Sequence, residues 1–251
     1  MSPAPSAVRL ERVAKRFATG LLALDETSLA VAPGEFVSLL GPSGCGKSTI
    51  LRLLAGLDVA SSGRVEAPAL DGQNADTAFV FQEPTLMPWA TVFENVWLPL
   101  RLAGRGRTQA STAIDTMLAH VGLADFRDAY PAQLSGGMKM RASIARALVT
   151  RPRLLLMDEP FAALDEVTRS RLGADLLNWW AEQQFSLVFV THSVFEAAYL
   201  SQRVLVMSPR PGRIVHELRI DEPSPRTTDF RLSPRYQAIC RELSASLEQA
   251  Q

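Results

Sequence analysis

Residues 41 to 49, Gly-Pro-Ser-Gly-Cys-Gly-Lys-Ser-Thr, constrain this chain more than any other stretch. They follow a short apolar run, Glu35-Phe-Val-Ser-Leu-Leu40. They precede Thr49-Ile-Leu-Arg-Leu-Leu-Ala55, which has helical spacing and stops at Gly56. Strand, Gly-rich turn and helix make one unit whose amides converge on a helix N-terminus, where orphan N–H groups and the dipole favour an anion. Gly41, Gly44 and Gly46 permit the turn and a close approach to phosphates. The segment Gly41, Pro42, Ser43, Gly44, Cys45, Gly46, Lys47, Ser48 and Thr49 is therefore a candidate phosphate-binding loop. Lys47 is expected to reach the β- and γ-phosphates, and the Ser48 hydroxyl to ligate Mg²⁺.

An acidic partner follows far downstream. Leu154-Leu155-Leu156-Met157 is a run of large apolar residues of the kind buried parallel strands carry, and Asp158-Glu159-Pro160 closes it. Open α/β sheets place their ligand sites at such C-terminal strand ends. Asp158 is predicted to hold the metal, directly or through water. Glu159 is predicted to orient and deprotonate an attacking water.

Further motifs make the chain resemble an ABC transporter ATPase over nearly its whole length. The loop, Leu134-Ser-Gly-Gly-Met138, Asp158-Glu159, Ala163-Leu-Asp165 and Thr191-His192 occur in the family's order. The resemblance implies that Phe17 stacks on adenine and that Gln82, in Phe79-Val-Phe-Gln82-Glu83, meets the γ-phosphate and Mg²⁺. It implies that His192 is the switch histidine, a catalytic residue beside Glu159, Lys47 and Gln82. Ser135 is then the N-cap of a helix with Gly136 and Gly137 in its first turn, a second phosphate-sized anion site. In the family that site serves the other chain: two copies stack head to tail, and Ser135, Gly136, Gly137 and Asp165 complete the partner's ATP site in trans. Met138, Met140 and Ser193 stand where the family often has Gln, Gln and Asp, away from the reacting groups.

The implied fold class is α/β: a P-loop NTPase cassette with a mainly parallel core sheet, an antiparallel β subdomain and an inserted α-helical subdomain. One nucleotide-binding domain is expected over residues 1–220, with the helical insertion at about 84–151 and a helical tail over 221–251. Ser61 to Val80 is expected to complete the antiparallel layer, with Ser62-Gly63 and Asp71-Gly72 as turns.

Charge and cysteine content narrow the function. Lys plus Arg equals Asp plus Glu, 26 against 26, so no global field draws nucleic acid or an anionic membrane. The two cysteines, Cys45 and Cys240, make no disulfide framework. Cys45 is expected to be a small loop-filling residue. No apolar run approaches the roughly 20 residues that cross a bilayer, and Met1-Ser-Pro-Ala-Pro5 lacks a signal-peptide core. The chain is expected at the cytoplasmic face of the membrane, held there by a partner.

Three classes of function fit a phosphate loop. A P-loop kinase does not explain the signature at 134–138. A soluble cassette ATPase of DNA repair or translation usually carries tandem cassettes or a long coiled-coil insertion, and this chain has neither. The resemblance therefore implies the separate ATPase subunit of a bacterial-type importer, with ATP and Mg²⁺, a second copy of itself, transmembrane permease subunits and, indirectly, a substrate-binding protein as partners. Phe81 to Trp89, Thr191 to Leu200 and Met207 to Ile214 are most similar to ATPases of nitrate, sulfonate and taurine uptake; similar ATPases serve pyrimidine-precursor transporters. Leu86-Met-Pro-Trp89 is expected to expose apolar groups that receive the permease.

Overall fold

In the computed structural model, residues 6–70 and 76–250 are described. Two sheets organise them. Strands β1 (Val8–Arg16), β2 (Leu22–Val31) and β4 (Ser62–Glu66) form an antiparallel sheet in the order β2-β1-β4. The second sheet has six strands. It contains β3 (Phe36–Leu40), β5 (Thr77–Val80), β6 (Leu154–Asp158), β7 (Ser186–Thr191), β8 (Arg203–Met207) and β9 (Ile214–Arg219). Their order is β5-β6-β7-β3-β8-β9, all parallel except β9.

Burial follows the sheet type. All of β3 and β7 is buried, because helices or the antiparallel sheet cover both faces. Successive side chains alternate between the faces. Phe36 and Leu40 join the helical side, where Phe36, Phe161, Phe189 and Trp180 make edge and tilted aromatic contacts at 5.5–6.0 Å. Val37 and Leu39 join the other side, packed with helix α1 (Lys47–Leu54) and the antiparallel sheet. β9, by contrast, alternates half-buried with exposed residues, as an edge strand covered on one face does.

Between β5 and β6 the chain is helical: α2 (Val92–Leu102), α3 (Arg107–His120) and α4 (Gly136–Leu148). Thr91 and Glu94 cap α2 reciprocally. Buried Asn95 donates to the carbonyls of Met87, Ala90 and Thr91 and accepts from the Met87 amide, so α2 fixes the loop before it. Helices α5 (Glu166–Gln183) and α6 (Val194–Leu200) flank β7, and α7 (Thr228–Leu232) and α8 (Pro234–Gln249) end the described chain.

Three expectations change. Ser62-Gly63 is no turn. Gly63 lies within β4 at φ +84°, opposite an irregularity in β1 where Arg12 has φ +45°, and a Cβ there would stand 2.3 Å from the Arg12 carbonyl oxygen. Thr77 to Val80 leaves the antiparallel layer and pairs with β6 at the edge of the parallel sheet. Its four residues carry no alternation that names a sheet. Leu86 and Met87 are half-buried, Leu86 against the helical core, while Trp89 is 76% exposed. The Asp71-Gly72 turn lies outside the described residues.

The C-terminal helices pack on the body. Arg226, 5% exposed, donates to the carbonyls of Ala198, Tyr199 and Ser201 and so caps the C-terminus of α6. Burial lowers its pKa to about 10, which leaves it charged at neutral pH. Arg226→Ala orphans those carbonyls. Hydrogen bonds to a charged group are worth about 1.5–3 kcal/mol, so the expected loss is about 3 kcal/mol. Urea unfolding checks it; a change below about 0.5 kcal/mol, the usual size for a surface substitution, contradicts this packing.

Candidate functional site

The strand order brings the candidate residues together. Gln82 follows β5, Asp158 and Glu159 end and follow β6, His192 follows β7, and the 41–49 loop follows β3. Those four strands are neighbours, and all are parallel, so every segment emerges at the same edge. One cleft is lined there by Phe17, Ser43, Gly44, Gly46, Lys47, Ser48, Thr49, Gln82, Asp158 and Glu159, with Leu21, Ala23 and Arg210.

The loop is shaped for its turn. Gly46 caps α1 at φ +108°, and a Cβ there would meet Leu24 Cδ2 at 2.6 Å. Lys47 is almost buried and donates from Nζ to the carbonyls of Gly41 (2.7 Å) and Pro42 (2.9 Å). Cys45 turns into the core beneath α1, and burial raises its thiol pKa. Gly41, Pro42 and Cys45 do not line the cleft; they frame Lys47 from behind.

The acids divide by environment. Ser48 Oγ donates to Asp158 Oδ1 at 2.9 Å, and burial pushes the Asp158 carboxyl upward against that bond. Glu159 has a left-handed backbone, φ +45°, fixed by its amide donating to Val190 O at 3.0 Å. Its Oε2 lies 2.9 Å from His192 Nδ1 and its Oε1 3.7 Å from Lys47 Nζ. A carboxylate, an imidazole and an ammonium thus converge at the end of the loop. The Ser48–Asp158 pair fits Mg²⁺: both ligands are oxygens, as that hard cation requires, and Gln82 adds an amide oxygen to the same cleft.

Phe17 follows β1, held by its amide donating to Leu21 O (2.9 Å) and by Gly20 N donating to Phe17 O (2.9 Å). Lys15 Nζ lies 5.2 Å from the ring centroid. Half-buried and at the cleft wall, the ring suits a base. Base stacking is worth about 1–3 kcal/mol, so Phe17→Ala should raise the Kd for ATP about 5- to 150-fold, with GTP competing in the parent protein. Calorimetry decides it; an unchanged Kd makes Phe17 a packing residue.

Ser135, Gly136, Gly137 and Asp165 form a separate group that does not line this cleft. Ser135 Oγ accepts from Met138 N (3.3 Å) at the start of α4, and Asp165 Oδ1 accepts from Thr168 N (2.9 Å) at the start of α5. The Thr168 amide holds the Asp165 carboxyl below the usual range. A Cβ on Gly136 would meet Leu164 Cδ2 at 3.8 Å, and one on Gly137 would meet Thr168 Cγ2 at 2.5 Å, so the two helix starts adjoin.

Sequence reasoning missed two residues that support the site. Arg146 of α4 donates to Thr85 O (2.8 Å) and Pro84 O (3.0 Å), tying the helix that starts at Ser135 to the loop after Gln82. Arg210, from the β8–β9 loop, reaches the cleft itself. An arginine among many carries no local signal for either role.

A family model described as ABC transporter matches residues 24–162. The nitrate import ATP-binding protein NrtD of Synechocystis sp. is 43% identical over 90% of this chain and 88% of its own length. The taurine import ATP-binding protein TauB of Rhizobium johnstonii is 42% identical over 93% and 92%. Among solved structures, an ATP-binding cassette described as dimeric in a post-hydrolysis state, bound to ADP and Pi, is 32% identical. It superposes with a TM-score of 0.74 over 86% of this chain and all of that one.

Proposed function

Since this chain belongs to the ABC transporter family, we propose that it hydrolyses ATP to drive uptake of a small solute through a separate membrane permease. The observation that carries the chemistry is the Glu159–His192–Lys47 cluster at the mouth of the phosphate loop. Lys47 exchanges its two loop carbonyls for phosphate oxygens. Ser48, Asp158 and Gln82 would hold Mg²⁺, which would supply neutralisation of phosphate charge. Glu159 takes the proton of the attacking water, and His192, at hydrogen-bond distance, orients the carboxylate. The α4 N-terminus supplies a second anion site. Because that site does not line the chain's own cleft, it completes the cleft of a second copy, a reading supported by the dimeric cassette to which this chain is similar.

The import role rests on the relatives' names. NrtD is named for nitrate and TauB for taurine, a sulfonate, so a small oxyanion-bearing solute is the substrate class proposed. No helix among the described residues is long and apolar enough to cross a membrane. The relatives' names, import ATP-binding proteins, support a pore supplied by a partner, with this ATPase on its cytoplasmic side. Trp89, exposed in the loop that begins at Gln82 and is anchored by Asn95 and Arg146, is the proposed permease contact. Co-purification with the permease tests this. Trp89→Ala should release the permease while ATP turnover by the isolated subunit persists; retained assembly and transport remove Trp89 from the interface.

A further inference from the structure

The strand next to β3 on its far side, β8, is also parallel, and its C-terminal end delivers one more side chain to the cleft. The β8–β9 loop, Pro209 to Arg213, is pinned against the phosphate loop. Gly212 donates to Ala23 O (2.9 Å), and its carbonyl accepts from Asp25 N (3.1 Å) and from the buried Thr27 hydroxyl (2.9 Å). A Cβ on Gly212 would lie 2.0 Å from Cys45 O, so only glycine permits this approach. Arg213 adds an ion pair with Asp25. These anchors aim Arg210 forward: its Nε and Nη2 donate to Gly44 O at 3.2 and 3.0 Å, in the middle of the phosphate loop.

Arg210 differs from its neighbours in charge pairing. Arg203 and Arg213 are each paired with a carboxylate, whereas Arg210 makes no ion pair among the described residues. Its bonds to Gly44 use two of five guanidinium donors. Arg210 also lines the cleft, whose Lys47 already lies close to Glu159. A nucleotide polyphosphate brings several negative charges into that cleft, and a planar guanidinium bonds phosphate oxygens well.

We propose that Arg210 is a further nucleotide-binding residue, which contacts the polyphosphate of ADP or ATP while it holds Gly44. The proposal rests on the nucleotide site described above, and a Lys47→Ala control separates the two. Binding of adenosine, ADP and ATP is measured by titration for the parent, Arg210→Ala, Arg210→Lys and Arg210→Gln, together with the Tm of each nucleotide-free protein. Arg210→Ala should raise the Kd for ADP and ATP about tenfold, one charge-assisted hydrogen bond, and leave adenosine unchanged. Lysine should recover part of the loss and glutamine none, because glutamine keeps a donor for Gly44 but no charge.

Unchanged Kd values for Arg210→Ala, with binding lost in Lys47→Ala, overturn the proposal and leave the site intact. Full recovery by glutamine, or an equal loss for adenosine with a lower Tm, reduces Arg210 to a brace for the loop and also overturns it. Unchanged binding in both Lys47→Ala and Arg210→Ala removes the site itself.

Discussion

Glu159→Gln is expected to bind ATP as the parent does and to turn it over roughly 10²–10⁴ times more slowly, the usual contribution of a positioned base. Glutamine keeps the shape of the side chain and occupies the same backbone, whose left-handed φ is set by the Val190 hydrogen bond. It also keeps an oxygen for His192 Nδ1, which lies 2.9 Å from the carboxylate. It removes only the capacity to take a proton. Single-turnover phosphate release beside an equilibrium Kd separates the two quantities. Phosphate release at the parental rate takes the base role from Glu159.

Gly136→Asp is the second large effect. The residue is exposed at the first position of α4, and a Cβ there meets nothing closer than Leu164 Cδ2 at 3.8 Å. An aspartate in a first helical turn favours the helix by about 0.3–1 kcal/mol, so the fold should persist. Gly137 is unsuitable, because a Cβ there would stand 2.5 Å from Thr168 Cγ2 and force the start of α5 to move. Against the γ-phosphate held by a second copy, the new carboxylate costs several kcal/mol, and steady-state turnover should fall about 100-fold or more. The ADP affinity of the single chain should stay within about twofold. A mixture with Lys47→Ala chains should recover measurable turnover, since each mixed pair keeps one intact site. Loss of ADP binding by the Gly136→Asp chain itself contradicts the separation of the two anion sites.

The parts legible in the sequence were those whose meaning is local. The phosphate loop between β3 and α1 is one contiguous unit, and the apolar run ending in Asp158-Glu159 declares a buried strand and its acids together. The N-cap at Ser135 depends on a residue three positions away. What was hidden depends on distant partners. Arg146 acts on Thr85 across 61 positions, and Arg210 on Gly44 across 166. Arg226 closes α6 from a segment that reads as a plain tail. The sheet membership of Thr77 to Val80 was misread because four residues, partly buried on both faces, fit either sheet. Gly63 was misread because a glycine in a bulge and a glycine in a turn look alike without the opposing Arg12 carbonyl.

The proposed mechanism has two copies of this chain close on ATP through complementary halves of each site. Sedimentation velocity of Glu159→Gln, with Mg²⁺ and with ATP, ADP or no nucleotide, measures that closure. The expected result is a dimer carrying two ATP molecules in the presence of ATP only. Chains that bind ATP and remain single, or a dimer whose formation ignores nucleotide, contradict it.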